Sequence, residues 1–343
     1  MISKVAHGLS PSAEQVWLYI LEAGQYRAEI STYGGTLVRM YAPDRNGVRG
    51  DVVLGYDRLE DYYPSTTYFG ALIGRFANRI SRGTFTVDGV IYHTPRNENG
   101  LHTLHGGTQG FDKRVWTALT SEADGAPGLH LSLFSADGDM GFPGNVRAYV
   151  DYILQPDGTL EITYVATSDR KGPFNMTNHS YFNLAGGGDI LEHELKLDCD
   201  RYLPVDNLLI PTGQIQAVRG TPFDFTQTKA IGRDLRSAGG YDHCMVLRDS
   251  KDSLKEFGWV HDPLSGRTLT VSTTKPAVQL YTGNFLNGSD RGKDGQVYYQ
   301  HAGFCLETQY FPDAMNHENF PNCMIKPGES YRHTTIYKFG VER

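Results

Sequence analysis

Four cysteines stand among the 343 residues, and none sits in a CxxC pair. Cys199, Cys244, Cys305 and Cys323 are scattered, which argues against a zinc knuckle or a redox dithiol and for reduced thiols in a cytoplasm. Basic blocks are lacking as well. A formal net charge of -7 with no Lys/Arg-rich run argues against nucleic acid as a partner. No apolar run approaches the roughly 18–20 residues that cross a bilayer, so no membrane association is expected. The opening stretch "MISKVAHGLSPSAEQVW" has no apolar core of a signal peptide. There is no Gly-rich nucleotide loop, no HExxH and no His-x-His. Internal repeats, low-complexity linkers and shifts of composition are absent too. The expectation is one domain over residues 1–343, as a monomer or homodimer.

Aromatics and glycine are abundant: 21 Tyr, 16 Phe and 39 Gly. Aromatics favour strands and glycines favour turns and bulges. Period-two alternation dominates. "VRAYVDYIL" puts Val146, Ala148, Val150 and Tyr152 on one face. After a "PDG" turn, "TLEITYVATS" does the same with Leu160, Ile162, Tyr164 and Ala166. "GTFTVDGVIYHT" reads as a second hairpin turning at Asp88-Gly89. Further short strands are expected in "YRAEIS", "ELKLDCDRYLPVD", "CMVLRD", "TLTVST", "AVQLYTG" and "TIYKFG". Helix is confined to one turn at "DRLEDYY" and a short piece at "KAIGRDLRS". The pattern predicts an all-β fold, a large antiparallel sandwich with few short helices.

Two of the twelve histidines stand out by context. His179 lies in "FNMTNHSYFNL", one titratable ring among amides and aromatics. It is either a proton-transfer group or a buried ring satisfied by Asn178 or Asn183. His105 precedes Gly-Gly in "TLHGGTQGFDKRVW", which suits a hairpin turn or the close approach of a ligand. Glu307 follows the apolar run Phe304–Leu306, so it points either inward, where carboxylates are rare unless functional, or outward from a strand. Asp242 in "GGYDHCMVL" is a turn aspartate or a site residue. Arg75 and Arg79, four apart in "GRFANRISRG", are a surface pair or a fork for hydroxyls. His102 and His105 are three apart, but "GLHTLHGG" reads as loop or strand, which disfavours a metal pair.

"GALIGRFANRISRGTF", "LHGGTQGFDKRVW", "NMTNHSYFNL", "YLPVDNLLIPTG", "GTPFDF", "GGYDHCMVL", "VQLYTGNFL" and "CLETQYFPDAMNHENFP" occur in this order from about residue 30 onward. Together they resemble the aldose 1-epimerase (galactose mutarotase) family. The resemblance implies a large β-sandwich with an open cleft for an aldohexose such as galactose or glucose. It implies interconversion of α and β anomers without cofactor or metal. It also implies roles: His179 as general acid, Glu307 as general base, and His105 as a second contact at the reacting end. Asn78, Arg79, Asp242, Gln279 and Tyr181 are implied as sugar-binding positions, with Arg75 a further member of the motif. Cys244 departs from the asparagine that the family often carries after "DH", which touches the support of Asp242.

Anomers exchange by opening of the ring, rotation about C1–C2 and closure on the other face. Opening removes the C1 hydroxyl proton and delivers one to the ring oxygen, which suits a carboxylate paired with an imidazolium. Three rivals remain at this level. A glycosidase would use Asp242 and Glu307 as paired carboxylates. A non-catalytic sugar-binding or sensing protein would use the same cleft. A hexose-phosphate epimerase would gather cations from Arg75, Arg79, Arg82, Lys113 and Arg114.

Overall fold

The computed structural model describes residues 1–249 and 253–342. Its centre is a nine-stranded sheet. The first hairpin signal lies in it: Val146–Leu154 pairs antiparallel with Thr159–Ser168, which then pairs with the long strand Ser330–Val341. Their alternating residues Val146, Ala148, Val150, Tyr152, Leu160, Ile162, Tyr164 and Ala166 are all buried, as the period-two pattern requires. A five-stranded sheet runs in sequence order from Ile2–Leu9 to Arg49–Asp51. A second five-stranded sheet holds Gln216–Ala217, Cys199–Tyr202, Asp242–Leu247, Ala277–Tyr281 and Cys305–Gln309, in that spatial order.

Inner faces of all three sheets share one apolar cluster. Ile30 and Met40 come from the first sheet, Ile162 and Val271 from the nine-stranded one, and Leu280 and Leu306 from the second five-stranded one. Tyr337 on the long strand donates its hydroxyl to the Leu306 carbonyl at 3.1 Å and ties two layers together. The hairpin Thr84–Val87 and Val90–His93 turns at Asp88 and Gly89, both at positive φ, which is the geometry an Asp-Gly turn supplies. Among the described residues α-helix is limited to Leu59–Tyr62 and to Leu235–Ala238, which continues a 3-10 turn, with further single 3-10 turns elsewhere. No helix among the described residues is long and apolar enough to cross a membrane. All four cysteines are free and buried.

Arg75 corrects an expectation. It is 3% exposed and is not among the residues that line the cleft, as Asn78, Arg79, His105, His179, Tyr181, Asp242 and Glu307 do. Nε donates to Ser135 Oγ at 2.8 Å. Nη1 donates to the carbonyls of Pro143 and Gly144 at 3.0 and 2.9 Å. Nη2 donates to the carbonyls of Ser135 and Ala136 at 2.8 and 2.5 Å. The planar fork thus satisfies carbonyls at the end of strand Ala126–Ser135 and in the connection that leads from it to Val146. Arg75→Met should leave the Pro143 and Gly144 carbonyls without these donors and lower unfolding free energy by at least about 3 kcal/mol, with KM unchanged. Denaturant unfolding and initial-rate kinetics check this. A variant of wild-type stability with a raised KM would return Arg75 to sugar binding.

Candidate active site

Strand register builds the floor of the cleft. Cys244, Gln279 and Glu307 lie opposite one another on three adjacent strands, and so do Asp242, Tyr281 and Cys305. Residues two apart on a strand share a face, so these six side chains rise on the same side. The cleft above them has a volume of about 750 Å³, within the range of small-molecule sites. Asn78, Arg79, His105, His179, Tyr181, Asp242 and Glu307 all line it. Gln279 does not; it donates from Nε2 to Asp242 Oδ1 at 2.6 Å and fixes that carboxylate from beneath. That bond gives Asp242 its support beside Cys244.

His179 follows the two-residue strand Thr177–Asn178, which pairs with Leu72–Ile73. Its ring stacks on Tyr181 with centroids 5.1 Å apart and meets His105 edge-on at 5.1 Å. Nδ1 lies 3.6 Å from Cys305 Sγ, and Nε2 lies 3.6 Å from Glu307 Oε1. Cys305 and Glu307, two apart on one strand, therefore bracket the imidazole. The neighbouring amides serve the backbone, not the cleft. Asn178 Nδ2 donates to the Gly70 carbonyl and Asn183 Nδ2 to the Ala302 carbonyl, each at 2.8 Å. They hold the segment in place, and His179 is satisfied by neither.

His105 has a φ of 53°, and Asn78 and Tyr68 also lie in the left-handed region at 67° and 58°. Such backbone is uncommon for residues other than glycine and tends to gather at functional sites. The Gly-Gly after His105 is explained by space: a Cβ on Gly106 would lie 1.9 Å from the Gly74 carbonyl oxygen. The backbone N–H of Asn78 donates to His105 Nδ1 at 3.1 Å. A neutral His105 therefore carries its proton on Nε2, the nitrogen left for the cleft.

Arg79 is held by Glu98, a residue the motifs did not single out. Nε lies 3.0 Å from both carboxylate oxygens and Nη2 lies 2.7 Å from Oε1. Nη1 remains, 3.7 Å from Asp242 Oδ2. Tyr68 was missed as well; its ring is 4.6 Å from His105 and 5.8 Å from His179. Both lie in polar loops without periodicity, where only the folded contact reveals them.

Burial sets the electrostatics. It pushes the Glu307 carboxyl well above the usual range; the nearby Asp242 charge adds to this and Arg79 opposes it. Burial lowers the His179 imidazole to about 4. It also drives His105 well down, helped by His179 and Arg79. Glu307 Oε2 is buried without a hydrogen-bond partner among the described residues, an orphan acceptor that a substrate hydroxyl would satisfy. Ligand atoms of His105, His179 and Glu307 all lie within 4.8 Å of one another, a spacing a metal ion can use. Yet the Asn78 amide already occupies His105 Nδ1 and leaves a proton on Nε2, which makes that face a donor and a poor ligand.

The pattern that defines the aldose 1-epimerase family matches residues 18–338. The chain belongs to the aldose 1-epimerase family. It is 46% identical to the galactose mutarotase of Rattus norvegicus over 345 residues, 99% of each chain. It is 47% identical to that of Bos taurus, covering 94% of this chain and 93% of the relative. Identity to the aldose 1-epimerase of Escherichia coli K12 is 40%, over 90% of this chain and 91% of the relative. A GalM/aldose epimerase homologue from C. elegans superposes with a TM-score of 0.88 at 30% identity, covering 94% of this chain and 98% of that one. The mostly β fold with its large antiparallel sheets is thus that of the family.

The His179–Glu307 pair dictates a pH profile. Below about 4 the imidazole takes a second proton onto the pair. Above the raised range of Glu307 the last proton leaves. Between them the pair holds one proton; burial favours it on Glu307, and its passage to His179 gives the carboxylate–imidazolium form that ring opening uses. We expect kcat/KM to rise through the first limb and fall through the second, as measured by polarimetry. A rate flat from pH 4 to 9 would remove the pair from the chemistry.

Proposed function

We infer that this protein is an aldose 1-epimerase that interconverts the α and β anomers of a hexose, galactose or glucose, by acid–base ring opening and closure. One observation carries the reading: a buried carboxyl and a buried imidazole stand 3.6 Å apart on the wall of a sugar-sized cleft, with one carboxylate oxygen unpartnered. Glu307 takes the C1 hydroxyl proton and His179 delivers one to the ring oxygen. His105 donates from Nε2 at the same end. Rotation about C1–C2 follows, and closure reverses both transfers. Asp242, Arg79 and Asn78 hold the remaining hydroxyls, and the Tyr181 ring covers an apolar sugar face. The whole chain works as one β unit, as its shared apolar cluster suggests. Four buried, unbridged thiols suit a reducing cytoplasm. No second site is required of a partner, so a monomer or a homodimer serves equally.

A sugar-phosphate reading finds less support. Of the five cations it would gather, Arg75 holds loop carbonyls, and Lys113 Nζ donates to the carbonyls of Tyr62, Tyr63 and Ser65. Arg114 pairs with Asp139, and Arg82 is exposed outside the cleft. A glycosidase would work with Asp242 and Glu307; here Asp242 is held by Gln279 beside Arg79, and an imidazole stands 3.6 Å from Glu307.

Polarimetry with freshly dissolved single anomers tests the reading. Glu307→Gln keeps shape and an acceptor oxygen but takes no proton at neutral pH. It should bind hexose near wild-type affinity while kcat falls at least about 10²-fold, and His179→Gln should fall comparably. The double variant should lose much less than the product of the two losses. A Glu307→Gln protein with near-full kcat would defeat the assignment. Exhaustive chelation is expected to leave the rate intact; loss restored by added zinc would revive a metal role for the trio.

A further inference from the structure

Arg79 faces three carboxylates at once. Glu98 takes Nε and Nη2 at 2.7–3.0 Å, Asp242 lies 3.7 Å from Nη1, and Glu307 feels the same charge. Glu98 itself lies outside the cleft lining, while Arg79 lies in it. The loop that carries Glu98 is tightly closed. Its amide bonds to the His102 carbonyl at 3.0 Å, and Asn97 pairs with both backbone groups of Leu104, at 3.0 Å to the carbonyl and 2.9 Å from the amide. The next residue is His105. One short loop therefore fixes both the guanidinium and the second histidine of the site.

We propose that Glu98 is a positioning residue: it aims Nη1 of Arg79 into the cleft and takes up enough of the guanidinium charge to leave Glu307 a competent base. This rests on the epimerase reading above. The two-point grip on one edge of the planar guanidinium leaves a single rotational setting, with Nη1 alone free to meet substrate. The charge argument runs the same way. With Glu98 ionised, the Arg79–Glu98 unit is close to neutral. Without it, a full positive charge faces Glu307, favours its carboxylate form and weakens it as a proton acceptor. Other groups around this cation are His105 and Tyr68 from their loops, Asp242 from its strand, and His179 opposite Glu307.

Glu98→Gln is the first test. It should raise KM for hexose about tenfold, the effect of a loosened charge-assisted contact. It should also move the high-pH limb of kcat/KM to lower pH, because the unshielded Arg79 stabilises the Glu307 carboxylate. Glu98→Asp retains the charge but is one methylene shorter. It should raise KM while leaving the limb in place, and it covers the case in which the glutamine variant fails to fold. In an Arg79→Ala background, Glu98→Gln should change neither quantity further. A folded Glu98→Gln protein with wild-type KM and pH limb overturns the proposal. So does an undiminished Glu98→Gln effect when Arg79 is absent, or a limb that moves in Glu98→Asp. Polarimetry on the wild type separates the two claims: if it does not speed anomerisation, the epimerase reading fails, whereas an active wild type with insensitive Glu98 variants sinks only this one.

Discussion

A carboxyl group held away from water in the middle of a strand is the constraint on which the site depends. Glu307 is 2% exposed, and an ionised carboxylate there would be costly without compensation. Everything around it answers that cost. Arg79 supplies the opposing charge, His179 a group to share a proton, and an unfilled Oε2 a place for a polar ligand. The same burial strengthens each electrostatic contact with whatever enters, because little water screens it.

Antiparallel register turns that constraint into a surface. Three strands place Asp242, Tyr281 and Cys305 in one row and Cys244, Gln279 and Glu307 in the next. The opposite face of these strands carries Leu280 and Leu306 into the core. A one-residue slip of the Cys305–Gln309 strand would turn Glu307 into the apolar cluster and Leu306 into the cleft. The hydrophobic pattern that fixes the fold thus fixes the chemistry too. The walls come from loops whose backbone adopts left-handed conformations at Tyr68, Asn78 and His105, so rings and amides lean over the floor.

The strands and hairpins were legible in the sequence because alternation is a local signal; the buried faces of Val146–Leu154 and Thr159–Ser168 follow it residue by residue. His179 and Glu307 were legible because each is out of place chemically in its surroundings. Arg75 and Arg79 looked alike, four apart in one motif, yet their guanidiniums part company. Which carbonyls wait at Ser135 and Pro143, and which carboxylate waits at Glu98, is decided by loops distant in sequence or without periodicity. The role of the asparagines beside His179 was open for the same reason. Their amides could satisfy the imidazole or the backbone, and only topology selects the backbone.

The bond from the Asn78 amide to His105 Nδ1 has one more consequence. A peptide N–H does not titrate at physiological pH, does not swing through rotamers and is encoded by no particular side chain. Nineteen of the twenty amino acids would supply it at position 78; only proline lacks it. The tautomer of His105 is therefore insulated from inheritance. Substitutions at Asn78 that tolerate its left-handed backbone change the side chain, but they leave intact the instruction that tells the neighbouring ring which nitrogen to protonate.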